Sequence, residues 1–331
     1  MPDPQAASGE VLVQGLTKRY GKVLALDHLE LQVPPGSIFG FLGPNGAGKT
    51  TTLRLLTGLA RPTAGTASVD GVDATTGGRT LARRIGYLDQ DPRFYGWLTA
   101  RELLLLVGQL HELDPKELPR RVDEVLGVVG LTEAADRRIS GYSGGMRQRL
   151  GVGQAMLPRP TVLFLDEPVS SLDPAGRRDV LELIGSLRGT TTVFMSTHIL
   201  TDVERICDRV GIMDRGRLVT EAPMDELLEQ HARPIFELDP EPGQAASVAV
   251  LVQALRAAAW VRDVQDEHGL LRVVVADTAV ASAAILPLVA AANVSLVRFE
   301  RVRPSLEDVF LQLVGADHAT GARAAATEPV Q

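Results

Sequence analysis

A glycine-rich segment near the start of the chain is the best candidate for chemistry. Residues 43–50 read GPNGAGKT and fit the pattern G-x-x-x-x-G-K-[ST]. Glycines at this spacing let backbone N–H groups turn inward around a phosphate, where side chains would collide. A following helix adds its positive N-terminal end, Lys49 supplies a charge for the β- and γ-phosphates, and the Thr50 hydroxyl suits Mg²⁺. The predicted phosphate-binding loop comprises Gly43, Pro44, Asn45, Gly46, Ala47, Gly48, Lys49, Thr50 and Thr51.

Two adjacent acids end another apolar segment. Asp166 and Glu167 follow a continuous apolar run, Val162 to Leu165, which is typical of a buried parallel strand. A strand end beside the phosphate loop can place Asp166 on Mg²⁺, directly or through water. Glu167 is one residue further on and can point toward an attacking water. The alternative is a solvated acidic turn, which the presence of a phosphate loop disfavours.

Four more segments fall in the order of a known family. Together with the phosphate loop and the two acids, they make the chain resemble the P-loop ATPases of the ATP-binding cassette (ABC) family over roughly residues 10–230. The segments are YLDQ at 87–90, YSGGMRQ at 142–148, SLD at 171–173 and STH at 196–198.

The YSGGMRQ segment predicts a second anion site. Ser143 can cap the helix that follows it, with Gly144 and Gly145 presenting bare N–H groups. The resemblance implies that this site acts on ATP held by the opposite subunit of a head-to-tail dimer. Tyr142 and Met146 stand where many family members have Leu and Gln, but the Ser-Gly-Gly core is intact.

The remaining roles come from the resemblance. His198 would contact the γ-phosphate, Gln90 would reach the metal or the water, and Asp173 would cross the dimer interface. Tyr20 would stack on adenine, the alternative being an ordinary core tyrosine. The assigned catalytic residues are Glu167, His198, Gln90 and Lys49, and the assigned metal ligands are Thr50, Gln90 and Asp166.

Apolar runs indicate the elements that must position these residues. Helical patterns separate the runs, which favours an α/β sheet, and helical spacing dominates residues 99–157. After about residue 230 the order becomes βαββαβ, which suggests a ferredoxin-like domain. The runs lie at 37–42, 161–165, 191–195 and 210–213.

We therefore predict an α/β P-loop NTPase fold of the ABC nucleotide-binding type, with a helical subdomain and a small α+β C-terminal domain. The predicted boundaries are 10–230 for the nucleotide-binding domain, about 92–158 for its helical subdomain, 231–315 for the C-terminal domain, and 1–9 and 316–331 for flexible tails.

Composition excludes several other classes of protein. A single cysteine, Cys207, cannot form an intramolecular disulfide. Acidic residues outnumber basic ones 41 to 34, which disfavours a nucleic-acid partner. The N-terminus does not have the pattern of a secretory signal, and the uncharged stretch from Thr278 to Val297 is better explained as a helix running into a strand than as a membrane span.

A group of three aromatic residues suggests how the chain meets a membrane. Phe94, Tyr95 and Trp97 lie just after Gln90 in a sequence with only 14 aromatic residues (8 Phe, 4 Tyr and 2 Trp). We hypothesise that they line a groove for a cytoplasmic helix of a separate polytopic permease. The alternative is local core at the start of the helical subdomain.

One cassette and a C-terminal extension resemble the stand-alone ATPase subunits of bacterial drug and antibiotic exporters of the daunorubicin-resistance type. The resemblance implies Mg-ATP hydrolysis in a dimer with a second copy or a paralogous cassette, on the cytoplasmic face of the cell membrane, where the permease holds the chain. An importer ATPase and a soluble ABC protein acting on ribosomes or DNA remain as alternatives.

Overall fold

The computed structural model describes residues 9–170, 172–231, 234–267, 269–302 and 304–314. The predicted tails fall outside these ranges apart from Gly9, and so does Ser171 of the SLD segment. The described chain divides into two compact units, of which the second is Asp225–Val309 and the first is the remainder.

The first unit contains two sheets and seven helices in its described part. The strands are β1 (Val11–Tyr20), β2 (Val23–Val33), β3 (Ile38–Leu42), β4 (Ala64–Val69), β5 (Val72–Asp73), β6 (Ile85–Leu88), β7 (Val162–Asp166), β8 (Thr192–Thr197), β9 (Arg209–Asp214) and β10 (Arg217–Pro223). The helices are α1 (Lys49–Leu56), α2 (Gly78–Arg84), α3 (Ala100–Leu110), α4 (Leu118–Val128), α5 (Gly144–Met156), α6 (Pro174–Ser186) and α7 (Leu200–Ile206).

The larger sheet brings the predicted chemical residues to one edge. Its order is β10-β9-β3-β8-β7-β6, and all neighbouring pairs are parallel except β9 and β10. Leu42 at the end of β3 pairs with Thr197 of β8, and Asp166 at the end of β7 pairs with Ser196. The carboxyl ends of the central strands therefore lie side by side, which is where ligands bind in open α/β sheets.

Buried apolar strands hold this edge in place. Every residue of β3, β7 and β8 is buried. The ring of Phe194 lies 5.2 Å from that of Phe39, 5.0 Å from Phe41 and 5.7 Å from Phe164, between ring centroids. Aromatic pairs at this spacing add to the free energy of burial. The same core extends to the second sheet, which is antiparallel with the order β2-β1-β4-β5.

The helical subdomain has a core of its own. Helices α3, α4 and α5 surround Leu104, Val122 and Leu150, each fully buried. A capping box, in which Thr99 and Glu102 each bond the other's backbone N–H, begins α3. A short helix that sequence patterns did not predict, α2, follows Gly77 and begins at Gly78 within a turn-rich segment.

The second unit is a four-stranded antiparallel sheet with two long helices. Helix α8 (Met224–Gln230) leads into it, and a last helix spans residues 306–314. The sheet order β12-β13-β11-β14, with the element order βαββαβ, is the predicted ferredoxin-like arrangement. Its elements are β11 (Ile235–Pro240), α9 (Ala245–Ala257), β12 (Val261–Glu267), β13 (Leu270–Val275), α10 (Thr278–Ala291) and β14 (Leu296–Arg301).

The uncharged stretch forms α10 and part of β14. Helix α10 has 14 residues and continues through Pro287, where the sequence suggests a break or kink. Within the described ranges, no helix reaches the length and apolar character that crossing a membrane demands.

Candidate nucleotide-binding site

The phosphate loop joins β3 to α1 and depends on glycine at two positions. Gly48 precedes α1 with φ +107°, and a Cβ there would lie 2.8 Å from the Ala25 carbonyl oxygen. A Cβ on Gly43 would lie 2.5 Å from the Met213 carbonyl oxygen. Neither approach leaves room for a side chain, so the loop can form this tightly only with glycine.

The side chain of Lys49 folds back into the phosphate loop. The residue is 6% exposed, and its Nζ donates hydrogen bonds to the carbonyl oxygens of Gly43 at 2.6 Å and Pro44 at 3.2 Å. Burial lowers the pKa of Lys49, while the carboxylates of Glu167 and Asp166 oppose that shift. A buried ammonium among carbonyl oxygens is well placed for an anionic ligand.

A cavity of about 420 Å³ opens over the loop. Its wall combines residues 45–51 with Gln90 and Glu167, which come from distant parts of the sequence. The backbone N–H of Gln90 donates to Asp89 Oδ1 at 2.8 Å. The cavity thus gathers most of the residues predicted to contact the nucleotide phosphates.

Asp166 is a buried carboxylate with one oxygen left unpaired. It is 0% exposed, and Ser196 donates a hydrogen bond to its Oδ1. Among the described residues, Oδ2 has no hydrogen-bond partner. Burial raises the pKa of Asp166, and the Ser196 hydrogen bond and the nearby Thr50 hydroxyl oppose the rise. A buried carboxylate oxygen without a donor is a good fit for a hard cation such as Mg²⁺.

Glu167 has an unusual backbone conformation. Its φ is +47°, in the left-handed region that non-glycine residues rarely adopt. Its N–H donates to the Ser196 carbonyl oxygen at 3.0 Å, and its Oε2 lies 2.9 Å from Nδ1 of His198. Strain of this kind is found mainly at functional sites. The turn separates the Glu167 side chain from that of Asp166 and pairs it with His198.

The second predicted anion site lies at an exposed helix start. Ser143 Oγ accepts a hydrogen bond from the Met146 N–H at 3.2 Å and caps α5, as predicted. Ser143 and Gly144 are exposed. Among the described residues that line the 420 Å³ cavity, none comes from 143–145. This segment therefore does not contribute to the wall of the cavity over the phosphate loop.

Asp173, Tyr20, Asp166 and His198 also lie outside the wall of this cavity. Asp173 caps α6 by accepting the Gly176 N–H at 3.0 Å. Tyr20 is 47% exposed, so it is not a core tyrosine, and Lys18 Nζ lies 4.7 Å from its ring centroid.

The three aromatic residues of the predicted partner surface differ in how far they are exposed. Phe94 is half-buried against the core of the helical subdomain. Tyr95 and Trp97 are 57% and 67% exposed, with ring centroids 4.8 Å apart. Tyr95 and Trp97 therefore expose more of their rings than Phe94 does.

Sequence patterns did not assign roles to two buried polar residues, Ser196 and Asp202, or to the half-buried Arg177. Ser196 lies within the STH segment and contacts both acids. Asp202, which is 4% exposed, accepts hydrogen bonds from Arg177 Nε at 2.8 and 2.9 Å. Arg177 lies four residues after Asp173, and Asp202 four after His198. One-turn spacing from a predicted site residue is the signal that could have found the pair.

Two family models match this chain, one in each of the two units. The family model described as "ABC transporter" matches residues 26–170, and the model "ATP-binding protein DrrA1-3-like, C-terminal domain" matches residues 223–314. A solved structure of the ATP-binding subunit of an ABC transporter, 30% identical, superposes with a TM-score of 0.62 over 66% of this chain and 92% of that one. The predicted fold is thereby confirmed.

Two curated relatives match over nearly their full length. One is the bacitracin transport ATP-binding protein BcrA of Bacillus licheniformis, 36% identical over 91% of this chain and 95% of its own. The other is the daunorubicin resistance ATP-binding protein DrrA3 of Streptomyces coeruleorubidus, 36% identical over 94% and 98%. Such similarity, with the phosphate loop and the two acids on one sheet edge, shows that the chain belongs to the ABC transporter ATP-binding proteins, a family of ATPases.

Proposed function

We propose that this chain is the ATP-hydrolysing subunit of an ABC exporter and that it works as a head-to-tail dimer beneath a separate polytopic membrane subunit. The observation that carries the proposal is the sheet edge where Lys49, Asp166 and the Glu167–His198 pair meet. The printed names of BcrA and DrrA3, a bacitracin transport protein and a daunorubicin resistance protein, support the exporter class.

Nucleotide binding would rest on the phosphate loop. Residues 45–51 line the cavity, the start of α1 contributes positive potential, and Lys49 adds a full charge. Thr50, Asp166 and Gln90 would hold Mg²⁺, whose chemistry is to neutralise charge on the phosphates. Tyr20, exposed and backed by Lys18, would stack on adenine.

Hydrolysis would rest on Glu167 and His198. The Glu167 carboxylate orients the attacking water and accepts its proton, and His198 stabilises the γ-phosphate as negative charge shifts onto it. The 2.9 Å contact between the two side chains fixes the direction in which the carboxylate points. Positioning and charge stabilisation provide most of the catalysis in phosphoryl transfer.

A second copy, or a paralogous cassette, would complete each site. The exposed start of α5 at Ser143–Gly145 would bind the γ-phosphate of ATP held by the other subunit, and the Asp173 loop would lie across the interface. Hydrolysis removes the bridging contacts, so the dimer opens, and the permease converts that motion into export.

The chain would reach the inner face of the membrane through its permease. Exposed aromatic residues are preferred anchors at interfaces, and Tyr95 and Trp97 are both exposed with their rings in contact. The double variant Tyr95→Ser/Trp97→Ser should lose the co-purifying permease while keeping ATP affinity. Retention of the permease at the wild-type ratio would refute this docking surface.

The Glu167→Gln variant tests the proposed reaction. We expect it to bind ATP, to lose nearly all turnover, and to accumulate as an ATP-dependent dimer in light scattering. Glu182→Gln is the matched control, since Glu182 is exposed on α6 and has no assigned role. Full ATP turnover by Glu167→Gln would show that Glu167 is not the general base. Turnover without any dimer would show that two chains do not share the ATP site.

A further inference from the structure

We propose that Ser196 is a positioning residue, and that its single hydroxyl orients both acids of the catalytic edge. This inference rests on the proposed function. It concerns a side chain that is fully buried on β8, two residues before His198.

The Ser196 hydroxyl uses its donor and one of its acceptor positions on the two acids. It donates to Asp166 Oδ1, and it accepts from the Glu167 N–H at 3.2 Å. A serine hydroxyl has one proton to donate and two lone pairs, so these contacts occupy its proton completely. Asp166 and Ser196 are also direct partners in the parallel β7–β8 ladder.

For Asp166, the contact decides which oxygen is free. Because the hydroxyl holds Oδ1, Oδ2 is the oxygen that lacks a partner among the described residues. A carboxylate whose rotation is fixed in this way presents one defined oxygen to a cation. Outer hydrogen bonds of this kind commonly orient metal ligands.

For Glu167, the contact supports a strained turn. The N–H of Glu167 points at both the backbone oxygen and the hydroxyl of Ser196, while its φ is +47°. The carboxylate beyond that turn meets His198, which the same strand end carries. Ser196 thus fixes the start of the Glu167 side chain relative to its partner.

A buried hydroxyl on the same strand provides a matched control. Thr192 at the beginning of β8 is also 0% exposed, and its Oγ1 accepts the Gly36 N–H at 2.8 Å. Within the described ranges, its side chain makes no hydrogen bond to Asp166 or Glu167. Thr192→Val and Ser196→Ala each remove one buried hydroxyl from one strand, so they separate a general loss of packing from a loss of positioning.

The experiment uses the full chain and three readouts. These are ATP affinity in EDTA, the affinity of the ATP-loaded protein for Mn²⁺ as a spectroscopic stand-in for Mg²⁺, and kcat with KM. Ser196→Ala should keep the EDTA affinity within about twofold, weaken Mn²⁺ by about 10–100-fold and lower kcat with KM unchanged. Thr192→Val should match wild type in all three.

A double variant tests whether Ser196 acts through Asp166. In the Asp166→Asn background, Ser196→Ala should weaken Mn²⁺ no further, since the oriented carboxylate is already gone. Wild-type Mn²⁺ affinity in Ser196→Ala, or an additive loss in the double variant, would overturn the inference. If Glu167→Gln hydrolyses ATP normally, the proposed function fails instead, and the Mn²⁺ readout still tests Ser196.

Discussion

Both units bury carboxylates on a sheet, and two of these carboxylates, Asp166 and Glu237, differ in how the protein satisfies them. In the second unit, Glu237 is 8% exposed and pairs with Arg272 Nε at 2.9 Å and an Arg298 guanidinium nitrogen at 3.3 Å. In the first unit, Asp166 is 0% exposed, and its Oδ2 has no protein donor among the described residues. A buried charge that the protein satisfies itself indicates structure, whereas one left open indicates a site for an external cation.

We expect the largest effect on ATP affinity from a substitution in the phosphate loop. Lys49→Ala removes a charged donor from the floor of the cavity, so ATP affinity should fall by roughly 10–100-fold. Equilibrium titration with a fluorescent ATP analogue measures the loss. Arg272→Ala in the second unit is the control and should leave ATP affinity at the wild-type value. Unchanged affinity in Lys49→Ala would remove the loop from nucleotide binding.

Neutralising the two buried carboxylates should sharpen the contrast between the units. Glu237→Gln weakens two arginine contacts, so the free energy of unfolding should fall by about 1–3 kcal/mol. Asp166→Asn removes a desolvated charge, so in EDTA the free energy of unfolding should not fall, while Mn²⁺ affinity is lost. Urea unfolding of the full chain in EDTA provides the measurement.

An equal loss of stability in both variants would contradict the comparison. It would mean that Asp166 is as fully satisfied by the protein as Glu237 is.

Another buried acid, Asp202, is paired with Arg177 and lies four residues after His198. Arg177→Met breaks the bridge between the helix after Asp173 and the helix after His198. Because small misplacements of catalytic groups are costly, kcat should fall roughly tenfold with KM little changed. The control is Arg209→Met, which breaks the 2.8 Å pair with Glu221 on the β9–β10 hairpin and should affect stability alone.

Steady-state ATPase assays and thermal melts of both variants distinguish the two roles. If Arg209→Met lowers kcat as much as Arg177→Met does, the bridge has no special role in positioning.

We expect the smallest effect on ATP affinity from substitution of Tyr20, the residue proposed to stack on adenine. Tyr20 is 47% exposed, and loss of one stacking partner costs about 0.5–1.5 kcal/mol. Tyr20→Ala should therefore weaken ATP binding by about 2–10-fold, and Tyr20→Phe should restore it because the ring is what stacks. Equal affinity of wild type and Tyr20→Ala in the same titration would remove the stacking role.

The site was predictable where its signals are local. The glycines of the phosphate loop and the apolar run before Asp166 are short patterns, and the structure places both as expected. Likewise, the βαββαβ order of the second unit follows from the periodicity of successive segments. In these cases neighbouring residues carry the information that decides the structure.

The unpredicted features depend on contacts between distant segments. Ser196 meets Asp166 because β7 and β8 align in one register, and no pattern within either strand states that alignment. The separate antiparallel sheet arises in the same way, from pairing of β1 with β2 and with β4. Helix α2 was missed because Gly77 and Gly78 indicate a turn, and burial of Leu81 overrides that preference.

A structure of the Glu167→Gln chain with ATP and Mg²⁺ would show whether two chains share each nucleotide. We expect two chains enclosing two nucleotides, each triphosphate lying between residues 43–51 of one chain and 143–145 of the other, with the metal on Asp166 Oδ2. A triphosphate bound elsewhere, or a metal that avoids Asp166, would contradict this expectation.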